Sequence, residues 1–144
     1  MAIVRRLKAQ EQGAVIVEFA LLAPILIAMM IGILQIGLAI QNYNAVRNVS
    51  ADVARYVMIS YIDGHPMTND SVETQTQSMA TGAPYLLAPN RLTVDAEDVA
   101  TPQVTGTTEK TLTITYQIPT ILDSFGLRGP SINYSRSLIV PPSA

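Results

Sequence analysis

The sequence predicts an α+β chain: a long N-terminal helix, its first half membrane-embedded, packed on a small C-terminal antiparallel sheet of about three strands. Three observations predict it. Ala14 to Ile40 is an apolar run in which only Glu18 and Gln35 are strongly polar. From Tyr43 to Val57 apolar residues recur at three- and four-residue spacing. From Leu92 onward they alternate with period two.

The chain opens with a short basic head, residues 1–13, carrying Arg5, Arg6 and Lys8 against Glu11. The apolar run follows. At 1.5 Å per residue a helix over Ala14–Ile40 spans roughly 40 Å, against about 30 Å of hydrocarbon. It crosses a bilayer with some tilt or with a protruding end. The basic head precedes the run, which predicts a cytoplasmic N-terminus and an exported C-terminal part, residues 41–144. A cleaved secretory signal has an apolar region of about 7–15 residues closed by an A-x-A-like site. This run is longer and no such site closes it.

Two residues do not suit a plain anchor. Glu18 lies four residues into the run, where a central carboxylate costs about 2.5–3.5 kcal/mol on insertion scales and less near an interface. Gly13 separates the basic head from the run. Glycine weakens a helix and leaves backbone accessible, as a protease cutting an extended segment at the membrane face requires. Pro24 removes one helical hydrogen bond inside the run and is expected to kink it, which membrane helices tolerate. Ala28 and Gly32 are spaced for close approach of a second helix.

Beyond Ile40 the helix is expected to continue to about Ser60. Tyr43, Val46, Val49, Val53 and Val57 form its apolar face, with Asn44, Arg47, Asn48, Asp52 and Arg55 elsewhere. Asp63-Gly64 and His65-Pro66 mark a turn. Thr68 to Ala80 predicts a short second helix capped by Thr68 or Asn69, with Val72, Gln75 or Thr76, and Met79 on one face. Gly82, Pro84 and Pro89 form a loop. Three strands follow: one through Leu92, Val94 and Ala96, one from Thr111 through Leu112, Ile114, Tyr116 and Ile118, and one through Ile132, Tyr134 and Leu138, where Arg136 intrudes. Thr101 to Lys110 reads as a polar loop, Pro119 to Pro130 as a longer connection, and Pro141 to Ala144 as a frayed tail.

Composition excludes several classes. Net charge is −2 and the nine basic residues are scattered, so nothing marks a nucleic-acid surface. There is no cysteine, hence no disulfide and no thiolate metal site. His65 is the single histidine and sits in a turn, leaving a catalytic triad or histidine metal site nothing to build on. Asp95, Glu97 and Asp98 lack the spacing and glycine of a calcium loop; a solvated acidic edge is the simpler reading. No P-loop, GxSxG or HExxH string occurs. An enzyme is not expected, nor a cofactor or metal.

Gly13-Ala14-Val15-Ile16-Val17-Glu18-Phe19 resembles the processing motif of type IV pilin-like proteins. The longer stretch from Gly13 to Pro24, with Asn44-Ala45-Val46-Arg47 and Ala54-Arg55-Tyr56, resembles more narrowly the TadE-like minor pilins, or pseudopilins, of tight-adherence pili. The resemblance covers residues 5–57 and is loose beyond them. It implies a prepilin peptidase that cuts between Gly13 and Ala14, leaving Glu18 fifth and Phe19 sixth in the mature chain. It also implies that Glu18 pairs with the free amine of a neighbouring subunit, and that the small domain is pilin-like. Implied partners are the peptidase, other major and minor pilins, the inner-membrane assembly machinery and membrane lipid. The implied location is the bacterial inner membrane as a single-pass protein, then the extracellular pilus. Two rivals stand beside this. An unprocessed, membrane-anchored scaffold or partner-binding module explains the length of the run and leaves Gly13 and Glu18 without a purpose. An exported enzyme or ligand-binding domain on a tether needs a pocket with convergent polar groups.

Overall fold

The computed structural model describes residues 2–126 and 128–141, with side chains from Gly13 onward except those of Leu122 and Phe125. The end of the predicted frayed tail, residues 142–144, lies outside the described residues. The chain divides into two compact units, residues 1–37 and 38–144.

Helix α1 runs from Ala2 to Ile62 without interruption through Gly13 and Pro24. The backbone at Gly13 is therefore helical, where the sequence suggested an extended segment. One glycine costs about 1 kcal/mol in a helix, too little to break it amid a run of strong helix formers. The first unit is this helix alone.

In the second unit the helix ends in a tight reversal. His65 N donates to Ser60 O at 2.9 Å and Gly64 N to Tyr61 O at 3.1 Å. This is the Schellman pattern, which needs a left-handed residue between its two bonds. Gly64 supplies it at φ 77°. Helix α2, Asn69–Thr81, follows. Thr68 caps it, its Oγ1 accepting from Ser71 N at 3.3 Å. Val72, Thr76 and Ala80 form its buried face. Buried Thr76 returns its hydroxyl to Val72 O at 2.6 Å, so no polar group is left bare.

The sheet has strands β1 (Leu92–Asp98), β2 (Thr108–Gln117) and β3 (Ser131–Val140) in the order β1-β2-β3, antiparallel throughout. Its core face carries Val94, Ala96, Leu112, Ile114, Tyr116, Ile132, Leu138 and Val140. Val46, Val49, Val53 and Val57 of α1 are fully buried in the same core. This is the α+β arrangement the sequence predicts, a long helix packed on a three-stranded antiparallel sheet. Tyr43 departs from prediction: it is half-exposed and meets Tyr134 edge-on, ring centroids 6.4 Å apart. Between β2 and β3, Gly129 is obligatory, since a Cβ there would sit 2.4 Å from Ile118 O.

The clearest correction concerns residues 108–110. The sequence reads as polar loop to Lys110; the structure begins β2 at Thr108 and buries both charged residues, leaving Glu109 2% and Lys110 5% exposed. Buried charge is costly unless paired, and each is engaged. Lys110 Nζ donates to Asn69 Oδ1 and Asp98 Oδ1, both at 2.6 Å. Glu109 Oε2 accepts from Gln103 N at 2.7 Å, folding the 99–107 loop over the strand. Lys110 thus ties the first turn of α2 to β1 and β2.

Two predictions follow from this packing. Leu112→Ala, at a fully buried site, lowers unfolding stability by about 2–5 kcal/mol, read by denaturant melts of the full chain in detergent. The second concerns acid. The hydrogen bond from Lys110, acting against burial, holds the Asp98 carboxyl below its ordinary 3.8; the charge of Lys110 and the amide of Asn69 add to it. Asp123 is held low in the same sense, first by the Thr120 N–H and then by Arg91. A carboxylate with a lowered folded-state value stabilises above its unfolded value and loses that contribution as pH falls through the folded one. The thermal midpoint therefore falls as pH drops from about 5 towards 2, and Asp98→Asn flattens part of that fall.

Candidate processing and assembly segment

Residues 13–37 are an isolated apolar helix. From Gly13 to Leu22 every residue is exposed, Glu18 among them, and Phe19 is 68% exposed. The large apolar side chains from Val15 to Ile36 are exposed on every side of the helix, apart from half-exposed Ile31. The most apolar stretch of the helix has a mean hydropathy of 2.6 and none of it is buried. A helix that is apolar all round has no solvent-facing side. Such a surface requires lipid or other apolar helices around it. One long apolar N-terminal helix of this kind fits a single-pass membrane protein.

Gly13 has a helical backbone and its Cα faces open space: a Cβ there meets nothing within 4 Å. Neither close packing nor a left-handed conformation requires glycine at this position. Ala14, one residue on, is equally uncovered. Glu18 makes no hydrogen bond or ion pair among the described side chains. Pro24 is exposed inside the continuous helix and supplies no N–H to the carbonyl one turn back. The structure brings none of these five predicted residues against another element. They share one helical segment and nothing more. Gln35 lies on the same segment with its Oε1 inaccessible to solvent and without a hydrogen-bond partner, an unmet polar group that sequence polarity alone had flagged.

The other candidates separate on inspection. His65 is exposed in the turn. Asp95 and Glu97 stand exposed on the outer sheet face, whereas Asp98 is taken by Lys110. Among the described residues no three His, Asp or Glu side chains converge to hold a metal. An open surface depression of about 380 Å³ is lined by Asp52, Arg55, Tyr56, Ile59, Met79, Ala83, Pro84 and Tyr85. At its rim the Tyr85 hydroxyl donates to Asp52 Oδ2 at 2.5 Å, and that bond, with burial and the charge of Asp52, raises the phenol above its ordinary 10.0. A phenol held in its protonated form by a carboxylate at pH 7 is a structural tie with no nucleophile beside it. Charge hides the burial of Glu109 and Lys110 from a reading of the sequence. Only Lys110 carries a signal, continuing backwards the alternation of Leu112, Ile114 and Tyr116.

Residues 13–55 match the family model described as TadE-like protein. No curated protein and no solved structure matches the chain. The match covers less than a third of the chain and supports a likeness to TadE-like proteins of the Tad pilus system. It begins at Gly13 and ends at Arg55, within the helix that carries both the bare apolar surface and the core-facing valines.

The bare helix has a direct consequence. Membranes washed with alkaline carbonate retain the full chain in the pellet; recovery in the supernatant would show that the apolar segment does not span the bilayer.

Proposed function

We propose, on the premise that residues 13–55 are those of a TadE-like protein of the Tad pilus system, that this chain is a minor pilin: inserted with a cytoplasmic N-terminus, cut by a prepilin peptidase between Gly13 and Ala14, and used in assembly, priming or the tip of a tight-adherence pilus. The observation that carries the reading is the pairing of Gly13 and Glu18. The fold requires neither. Gly13 touches nothing, and Glu18 is an unpaired carboxylate on an otherwise apolar helix surface.

Both acquire a purpose through one hydrolysis. Water adds across the Gly13–Ala14 peptide bond, giving a carboxylate on Gly13 and an ammonium on Ala14. Ala14 becomes the first residue of the helix and Glu18 its fifth. A carboxylate near a helix N-terminus is stabilised by the backbone dipole, by about 0.3–1 kcal/mol in exposed settings. Before cleavage Glu18 lies in the middle of a helix that begins at Ala2, without that benefit. In an apolar surrounding an unpaired ammonium and an unpaired carboxylate are each costly, and pairing Glu18 with the Ala14 amine of a neighbouring subunit offsets both. Cleavage therefore licenses packing of the apolar helices, and Phe19 and Pro24 shape the surface that packs. The C-terminal α+β unit, exported on this reading, contributes shape and partner choice. The partners are other major and minor pilins and the inner-membrane machinery.

The test is the mass and N-terminal sequence of the membrane-extracted chain, with and without its cognate prepilin peptidase. A chain that begins at Ala14 only when the peptidase is present is expected. Gly13→Lys abolishes the cut, and Glu18→Ala leaves the cut intact while removing the chain from sheared pili. A chain that keeps Met1 under both conditions sinks the processing claim and leaves an unprocessed anchored scaffold.

A further inference from the structure

A three-stranded sheet in the order β1-β2-β3 has two edges, and here they differ. The register shows which backbone groups face outward. Val99 N donates to Glu109 O at 2.9 Å, and Ile118 N to Pro130 O at 3.0 Å. Because an antiparallel ladder alternates, β2 turns its odd-numbered residues towards β1 and its even-numbered residues towards β3. The outward backbone groups of β1 are then those of Leu92, Val94, Ala96 and Asp98. Those of β3 belong to Ser131, Asn133, Ser135, Ser137 and Ile139. Ala96 checks the assignment: its N–H points away from β2 and reaches Glu73 Oε1 of α2 at 3.0 Å.

The β1 edge is obstructed at its centre. Glu73 of α2 takes the Ala96 N–H, and Leu92 N turns back to Pro89 O. The β3 edge is open. Among the described residues no group bonds the five outward N–H and C=O pairs. The usual guards are missing too: the ten-residue strand contains no proline, glycine or lysine, and its single charge, Arg136, lies on the core face.

We propose that the open β3 edge receives an extended segment of a different polypeptide, which adds as a fourth strand. The edge specifies that segment's chemistry. Its backbone supplies a matching ladder of N–H and C=O groups. On one face its side chains lie beside Ile132, Leu138 and Val140 and are apolar, with a carboxylate placed against Arg136. On the other they lie beside serines and Asn133 and are small and polar. A second copy of this chain does not fit. Head-to-tail extension needs the β1 edge, which Glu73 of α2 obstructs at Ala96. Pairing β3 with another β3 about a dyad centred on Ser135 sets Arg136 opposite Tyr134 and diagonal to the second Arg136, so both guanidiniums lack a counter-charge.

The probe is a fluorescent ten-residue peptide of alternating valine and threonine with one aspartate to face Arg136, titrated by anisotropy into the purified full chain in detergent. Saturable binding is expected, weakened roughly tenfold or more by N-methylating alternate residues of the peptide's pairing edge. Ser135→Pro produces the same loss, because it removes an outward N–H without costing the chain's own ladder a bond. Ser135→Ala binds as the parent does. No saturable binding, or equal binding of the N-methylated peptide, overturns the proposal; should Ser135→Pro fail to fold, the peptide arm decides alone. Ser135→Cys supplies the control for self-pairing. At a dyad centred there the two Cα atoms lie about 5.5 Å apart, within disulfide reach. A disulfide dimer in this cysteine-free chain overturns the choice of a different polypeptide. The pilin reading stands or falls separately, on the N-terminus at Ala14.

Discussion

The insertion of four valines into one sheet face is the contact on which the C-terminal unit depends. Val46, Val49, Val53 and Val57 are spaced three and four residues apart, so they form one stripe along α1, and all are fully buried. Each contributes about 1.5–3 kcal/mol by leaving water. Valine is stiff at χ1 in a helix, so the stripe presents a nearly flat apolar strip suited to a pleated surface. The sheet cannot stand without it: three strands with one apolar face need a covering layer, and α2 covers through Val72, Thr76 and Ala80. Ser50 interrupts the stripe, fully buried with its Oγ unpaired, a small polar cost beside the valines.

Lys110 converts that packing into a specific arrangement. Apolar burial is non-directional, and a helix of thirteen residues such as α2 could slide along the core at little cost. The ammonium of Lys110 fixes its start, because Asn69 and Asp98 must both lie within hydrogen-bond reach of one buried nitrogen. Glu73 adds a second point one turn on, at Ala96. Removing the lysine would leave two polar acceptors without their donor, whereas the exposed half of the pair, Asp98, keeps access to water. Glu73 of the same helix takes the outward N–H of Ala96, so α2 also obstructs one edge of the sheet.

Most of this fold was legible in the sequence because its signals are periodic. The helical stripe, the Asp63-Gly64 reversal, the Thr68 cap and the alternations through Val94, Ile114 and Ile132 each rest on local stereochemistry that the residues announce. Glu109 and Lys110 read as loop because charge is the strongest local sign of exposure, and partners assembled only by folding reverse it: Gln103 N for Glu109, and Asn69 with Asp98 for Lys110. Tyr43 fails in the opposite direction: it extends the valine periodicity, yet it stands half-exposed with its ring edge-on to Tyr134. Gly13 weakens the helix without stopping it, since one glycine costs only about 1 kcal/mol in such a run. The assembly segment was legible as a set of residues, since a carboxylate in an apolar run stands out at any level. Its geometry was not, because the described side chains from Gly13 to Leu22 all stand exposed.

The molecule therefore leaves two kinds of surface unsatisfied, and they make different demands. The bare helix from Ala14 to Ile36 asks only for apolar surroundings, which lipid and neighbouring helices meet equally well. It can determine where the chain resides; it cannot by itself determine a partner, since dispersion and burial are nearly indifferent to rotation about the helix axis. Glu18 breaks that indifference at one point, and Gln35 at another. The β3 edge asks for directional bonds at a 3.4 Å repeat, so it discriminates register and strand direction as well as presence. A one-residue slip of any strand added there would turn its whole side-chain pattern to the other face. Residence without orientation on one unit, and orientation without residence on the other, is a division that suits a subunit whose place in a larger assembly has to be specific while its anchorage remains generic. At the β1 edge Glu73 takes the central outward N–H, so an added strand meets fewer obstacles at β3 than at β1.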